Sequence, residues 1–276
     1  MHTPTSVRVR ASGFLREAVA EFLAFGLKEV ASCLFAGGFF LVLVVSTQLP
    51  PLPIPRYDLI LIAAIVLQIL LVVSKLETLD ELKTICLFHV LGFALEVFKT
   101  HPAIGSWSYP EPGYTKLFGV PLYSGFMYAA VASYMIQAWR WFGLELTRAP
   151  DARLSVLLAA GVYLNFFTHH WLPDLRWWLA AALALLFART RVHFTPWRWR
   201  LSMPVPLSFC LIGFFIWVAE NIATFYGAWM YPDQHAGWRV VHTGKISSWL
   251  LLASVTFVIV ADLKHYRAKR RAVKAA

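Results

Sequence analysis

Charge is scarce in this sequence. Only 14% of its 276 residues are charged, and 15 are Asp or Glu. A soluble domain carries about 25% charged residues, so this chain has too little polar surface to cover a fold bathed in water. Cysteine is scarcer still. Cys33, Cys86 and Cys210 show no C-x-x-C or similar spacing, which leaves no basis for a disulfide framework or a cysteine metal or redox motif. Each sits in an apolar run and reads as a small buried hydrophobe. Phosphate-loop, G-x-S-x-G, H-E-x-x-H and haem-attachment patterns are missing too, so ATP-driven and serine-hydrolase chemistry have no support. The polar start of the chain leads to no A-x-A-like site, and a cleavable signal peptide is not expected.

What the chain has is apolar length. Hydrophobic residues make up 59%, and mean hydropathy is +0.60. Lipid is the expected solvent for much of it. The formal net charge is +10, but the basic residues sit at the ends of apolar runs and form no single basic face, which argues against nucleic acid. A span needs roughly 20 apolar residues. Eight runs qualify, near 27–47, 58–74, 80–98, 117–139, 152–168, 175–189, 205–226 and 246–263. The fold class expected is all-α, a polytopic helical bundle of about eight spans within one membrane domain, 1–276. The segment from Gly13 to Lys28 mixes charge with Phe14, Leu15, Phe22 and Leu27 and reads as an interfacial helix. Pro121, Pro204 and Pro206 are expected to open helices.

Lys and Arg set the orientation. The two termini and the even-numbered loops hold 18 of them, the other loops six, and Lys28 stands at the entry of the first run. That alternation places both termini on the cytoplasmic side.

A short internal repeat stands out. Residues 105–111 read Gly-Ser-Trp-Ser-Tyr-Pro-Glu and residues 227–233 read Gly-Ala-Trp-Met-Tyr-Pro-Asp. Upstream, Glu96 and Thr100 match Glu220 and Thr224 in an E-x-x-x-T pattern. Four spans separate the copies, so the halves, 1–148 and 149–276, are expected to share one orientation as parallel pseudo-repeats. The Tyr-Pro bond favours an extended or turn conformation, and the glycine permits a tight turn. Each copy reads as a loop folded over its half-bundle, with Trp107, Tyr109, Trp229 and Tyr231 lining a cavity. An interfacial aromatic belt accounts for Trp and Tyr in general but not for their repeated spacing with Gly, Pro and the acids Glu111 and Asp233.

Glu96 and Glu220 are the leading candidates for chemistry. An ionisable group at membrane depth is costly and is by default a functional hypothesis. Desolvation penalises the anion, so a carboxyl out of water favours its neutral, proton-donating form. The alternative is a carboxylate that caps a helix or accepts hydrogen bonds from a loop. His89, seven residues before Glu96, shares its helix face and can tune it or bond within the bundle. His101, His169, His170, His235 and His242 gather on the outer side. Asn165 and His169 share a face at i, i+4. With Glu111, Asp174 and Asp233 nearby in topology, a metal site, solvated loop histidines and a proton relay stand open, although no metal-ligand spacing is present and adjacent His169 and His170 are expected to point apart.

The block Glu96-Val-Phe-Lys-Thr-His-Pro-Ala-Ile-Gly-Ser-Trp-Ser-Tyr-Pro-Glu111 resembles the YoaT-like family of bacterial integral membrane proteins, a family of unknown function. That resemblance implies a multi-span protein of the bacterial inner membrane and no established activity or cofactor. More distantly, an acid at a span's end followed by an aromatic-Tyr-Pro loop is similar to integral-membrane lycopene cyclases and carotenoid hydratases. Those families protonate isoprenoid double bonds, but the paired-acid Pro-x-E-E element of the cyclases is missing here. Three functions stand open. The first is a membrane enzyme acting on a lipid or isoprenoid, with Glu96 and Glu220 as general acids, His89 beside them, and Trp107, Tyr109, Glu111, Trp229, Tyr231, Asp233, Asn165, His101 and His169 around the substrate. The second is a transporter or channel using the same acids, and the third is an accessory protein. Membrane lipids are the partner all three imply.

Overall fold

The computed structural model describes the backbone of residues 5–50 and 52–275 and the side-chain surroundings of residues 13–50 and 52–262. Arg8, Arg10 and the basic side chains from Lys264 to Lys274, which enter the charge count above, lie outside the described set.

Helices dominate. Among the described residues they are α1 (Thr5–Ser32), α2 (Leu34–Ser46), α3 (Arg56–Val73), α4 (Leu79–Thr100), α5 (Ser124–Trp141), α6 (Ala152–Thr168), α7 (Arg176–Leu186), α8 (Val205–Phe225) and α9 (Lys245–Ala275). Their starts follow local chemistry. Thr78 and Glu81 form a reciprocal capping box at α4. The Asp151 carboxylate accepts from the first amides of α6. Pro204 and Pro206 open α8, where proline is tolerated.

Three helices, α3, α8 and α9 as far as Asp262, are long and apolar enough to cross a membrane. The count rises to four if α1 and α2 are one bent span. The other apolar runs fall short of that standard for identifiable reasons. α6 and α7 have 17 and 11 residues, and α4 carries Asp80, Glu81, Lys83, Glu96 and Lys99.

The apolar run at 27–47 is not one straight helix. It breaks at Cys33, and the segments 13–32 and 34–46 meet at 68°. α1 turns Phe14, Leu15, Phe22 and Leu27 outward. It is tied down by Glu21, whose carboxylate accepts from the backbone N–H groups of Trp197, Arg198 and Trp199.

The fold is mostly helical, as expected, with short strands added. The run at 117–139 opens with a two-stranded hairpin, β1 (Lys116–Leu117) and β2 (Val120–Pro121), turned at Phe118 and Gly119, both with positive φ. Pro121 therefore ends a strand and does not open a helix. A three-stranded antiparallel sheet joins β3 (Glu145–Thr147), β4 (Arg191–Phe194) and β5 (Leu201–Pro204). The loop between α7 and α8 is long enough to return as a hairpin, and the strand after α5 adds to its edge. Cys86 and Cys210 face outward and Cys33 is half-buried, so none is the buried hydrophobe expected.

α4 packs on α5, α8 on α9, and α9 on α6. One apolar cluster, with Tyr57, Tyr109, Val120, Tyr123, Trp229 and Tyr231 at its centre, plugs the end of the bundle where α4 and α8 finish. That plug positions the site.

Candidate functional site

Both Trp-x-Tyr-Pro loops start from a left-handed glycine, Gly105 at φ +58° and Gly227 at φ +68°, a conformation that a Cβ disfavours. The loops then meet. Ser108 and Met230 form an antiparallel bridge, each N–H donating to the other's carbonyl at 2.9 Å. The first loop is anchored twice more. The Asp58 carboxylate accepts from the N–H groups of Tyr114 and Thr115 at 2.7 and 2.8 Å, and Arg56 pairs with Glu111 at 2.5 Å. Arg56 also donates to the carbonyl of Tyr226, at the start of the second loop.

Beneath the bridge lie the two acids, Glu96 2% and Glu220 3% exposed. Glu96 Oε2 accepts from the Trp107 indole at 2.6 Å and the Tyr109 hydroxyl at 2.7 Å. Its Oε1 meets the Tyr128 hydroxyl at 2.8 Å. Glu220 Oε1 meets the Tyr231 hydroxyl at 2.5 Å, and its Oε2 accepts from the Trp249 indole at 2.8 Å. Thr100 and Thr224 each donate to the carbonyl one turn back, on Glu96 and Glu220 respectively.

The pattern is chemical as well as geometric. An indole N–H can only donate, whereas a phenol can donate or accept. In each acid one oxygen accepts from an indole and the other faces a phenol; in Glu96 the indole-bound oxygen takes the Tyr109 phenol as well. Burial, and then the neighbouring carboxylates, Glu96 for Tyr109 and Glu220 for Tyr231, push those two hydroxyls well above the ordinary tyrosine range. They stay protonated.

Both acids line one cavity of about 130 Å³. Trp107, Trp229, Tyr231, Tyr128 and Trp249 form its aromatic wall, and Lys99, His169, Arg176 and Lys245 its basic one. The Lys245 ammonium stands over the rings of Tyr231 and Trp107, 4.5 and 5.1 Å from their centres, a cation–π arrangement.

The histidine pair differs from expectation. α6 ends at Thr168 with His169 as its C-cap, and in the turn that follows His169 and His170 do not point apart. Their ring centres are 4.2 Å apart, and both present Nε2 to the Lys99 ammonium, at 3.4 and 2.8 Å. His169 Nδ1 contacts the Asn165 carbonyl at 2.8 Å and must donate there. Its Nε2 is then the acceptor from Lys99, which makes the ring neutral. Burial first, and then the positive charge of Lys99, holds both histidines below the ordinary imidazole range.

The remaining sequence candidates lie elsewhere. His89 packs edge-on against Phe126, with a buried Nδ1 that has no partner. Glu111 is bound to Arg56. Asp233 is exposed in a short 3₁₀ turn. His101 is exposed and its ring accepts from the Ala103 N–H. Asn165 organises the turn after α6, bonding Asp174 and the Leu175 N–H. Among the described residues no group of three or more His, Cys, Asp or Glu is arranged to hold a metal ion. Sequence reasoning missed Lys99, Arg176, Lys245, Tyr128 and Trp249. The only signal for the first three was their place at span ends, where a topology count absorbs them.

Comparison with known proteins places the chain in a family without giving it a task. Residues 21–257 match the model of a family described as a protein of unknown function, DUF817. The chain is 55% identical over 251 residues to the uncharacterized protein YoaT of Bacillus subtilis (strain 168), covering 91% of this chain and 94% of that one. Among solved structures, a cross-linked MvINS trimer matches with a TM-score of 0.41 at 15% identity, covering 64% of this chain and 91% of that one. The chain belongs to the DUF817 family.

Proposed function

We propose that this DUF817 member is an eight-span membrane enzyme that acts on a lipid or isoprenoid at its outer-side cavity, with Glu96 and Glu220 handling the proton. The observation that carries the reading is the convergence of two acids 124 residues apart in sequence on one cavity lined by indoles and phenols. Their phenol-facing oxygens are the ones free to exchange a proton, since an indole can only donate. General acid–base chemistry needs a positioned group that can give or take a proton, and a carboxyl is one.

The membrane setting has its own support. Three helices are long and apolar enough to span. Large apolar side chains face outward along the bundle, with Trp177 71% and Trp178 77% exposed at the start of α7, where an interfacial belt places tryptophan. The 18-to-six split of Lys and Arg favours eight spans with both termini inside, in the bacterial cytoplasmic membrane. The two halves then act as parallel pseudo-repeats that each bring one acid and one aromatic loop to the outer side.

The electrostatics narrow the chemistry. A free carbocation, as in double-bond protonation of a hydrocarbon, is disfavoured beside Lys245, so a polar substrate group is the better fit. Untargeted analysis of lipids and pigments tests the reading in cells deleted for the gene and complemented with wild type, Glu96→Gln or Glu220→Gln. A lipid species that changes on deletion and is restored by wild type but not by Glu220→Gln is the expected result. An unchanged profile in the deletion strain would remove the enzyme reading.

A further inference from the structure

Three cations line the cavity, and the Trp-x-Tyr-Pro motif supplies none of them. Lys99 is 4% exposed. Its ammonium is held by two neutral imidazoles, which take its hydrogen bonds and leave its charge uncancelled. Lys245 rests between Trp107 and Tyr231 and forms no ion pair within 4.0 Å among the described residues. Arg176 meets one oxygen of Asp174 at 3.3 Å. The positive charges of Lys245 and Arg176 both act on Lys99. Glu96 and Glu220 form no ion pair with either lysine within 4.0 Å among the described residues, and their oxygens accept from indole and phenol donors instead. The buried Lys99 charge needs a partner, and the space between the three cations is the cavity itself.

We propose that the cavity takes a phosphate-type anion, the phosphate of a lipid headgroup, held by Lys99, Arg176 and Lys245. The inference rests on the proton-donor reading above: with both acids in their neutral, donating form, Asp174 beside Arg176 and Asp233 near Lys245 are the acids left to oppose the three cations. Size agrees. A cavity of about 130 Å³ has room for a phosphate group. An arginine fork and lysine point charges are the side chains suited to such an anion. Leu95, Met127, Phe166 and Leu252 complete the wall, giving apolar contact to the first carbons beyond the phosphate.

The test uses purified full-length protein in detergent, titrated by calorimetry with dihexanoyl phosphatidic acid, dihexanoylglycerol and inorganic phosphate. Wild type is expected to bind the phosphatidic acid at least tenfold more tightly than dihexanoylglycerol, with inorganic phosphate competing weakly. Lys99→Met and Lys245→Met are each expected to abolish that preference without changing the affinity for dihexanoylglycerol, whereas Arg198→Met, away from the cavity, leaves it intact. If Lys245→Met does not fold, Lys245→Arg keeps the charge and must keep the preference. Equal affinity for the two lipids, or lysine variants that bind like wild type, overturns the proposal. Inorganic phosphate binding as tightly as the lipid overturns the headgroup assignment in favour of a free anion. Glu220→Gln separates the two readings. Retained phosphatidic acid binding with an unchanged cellular lipid profile removes the acid chemistry and keeps the anion site. A changed profile beside lysine variants that bind normally does the reverse.

Discussion

Glu96 and Glu220 occupy matching places, yet they are held differently. Glu96 receives both the tryptophan and the tyrosine of its own loop, plus Tyr128 of α5. Glu220 receives only the tyrosine of its loop, and its indole comes from Trp249 of α9. The cause lies in the sequence. Eleven residues separate Glu96 from Trp107, but nine separate Glu220 from Trp229. The second loop is two residues shorter, so Tyr231 takes the place that Trp107 fills in the first, and the two rings pack edge to face with centres 6.0 Å apart. Three donors make Glu96 a keystone of the fold. Two donors, one of them the 2.5 Å phenol contact, leave Glu220 the better placed of the pair to exchange a proton.

The largest effect that can break this comparison is on stability. Glu96→Ala strands three donors and is expected to destabilise by about 3–5 kcal/mol in all. Glu220→Ala strands two and is expected to cost about 2–4 kcal/mol. Thermal unfolding of the detergent-solubilised protein reads both, and a costlier Glu220→Ala would invert the assignment.

Next in size is Gly92→Ala. A Cβ there would lie 2.3 Å from the Tyr128 ring, forcing out the donor to Glu96 Oε1. Overpacking of this kind costs about 1–3 kcal/mol. The difference between wild type and Gly92→Ala should shrink in a Tyr128→Phe background, which a double-mutant cycle measures. Trp249→Phe sharpens the other side. It removes one hydrogen bond to Glu220, worth about 1.5–3 kcal/mol if the acid is charged and about 0.5–1.5 if neutral, so its unfolding midpoint reports the protonation state directly.

The smallest effect is on pH. His169 and His170 have folded pKa values below the unfolded 6.5. The folded state then binds fewer protons, and their contribution to stability is present above the unfolded value and lost as pH falls through the folded values. Unfolding followed from pH 7.5 to pH 5.5 should show this loss, and Lys99→Met should reduce it. An identical pH slope in both proteins would show that Lys99 does not hold the pair neutral.

Much of the helical framework was legible because it depends on apolar length and strong local signals. The run at 152–168 coincides with α6, and Pro204 marks the start of α8. The acids and their loops were legible because a repeated Gly-x-Trp-x-Tyr-Pro has no explanation in composition alone. The break at Cys33 was not, since both sides of it are equally apolar and nothing punctuates the chain. The hairpin at 116–121 hid inside an apolar run because its turn residues, Phe118 and Gly119, read equally well as span residues. Lys99, Arg176 and Lys245 were counted as topology markers. Their convergence comes from the turn after α6 and the start of α9 folding back over α4, a long-range event that no spacing encodes.

The account rests on the two loops meeting over one cavity on the outer face, and Ser108 and Met230 test that most directly. Hydrogen-bonded antiparallel partners have Cα atoms about 5.5 Å apart, within the reach of a disulfide. Ser108→Cys and Met230→Cys are introduced together into a chain with Cys33, Cys86 and Cys210 replaced, and intact cells are treated with a membrane-impermeant oxidant. The account predicts a cross-link between the halves, read as joined fragments after cleavage between them. No cross-link, or one that forms only when the oxidant reaches the cytoplasmic side, would contradict it.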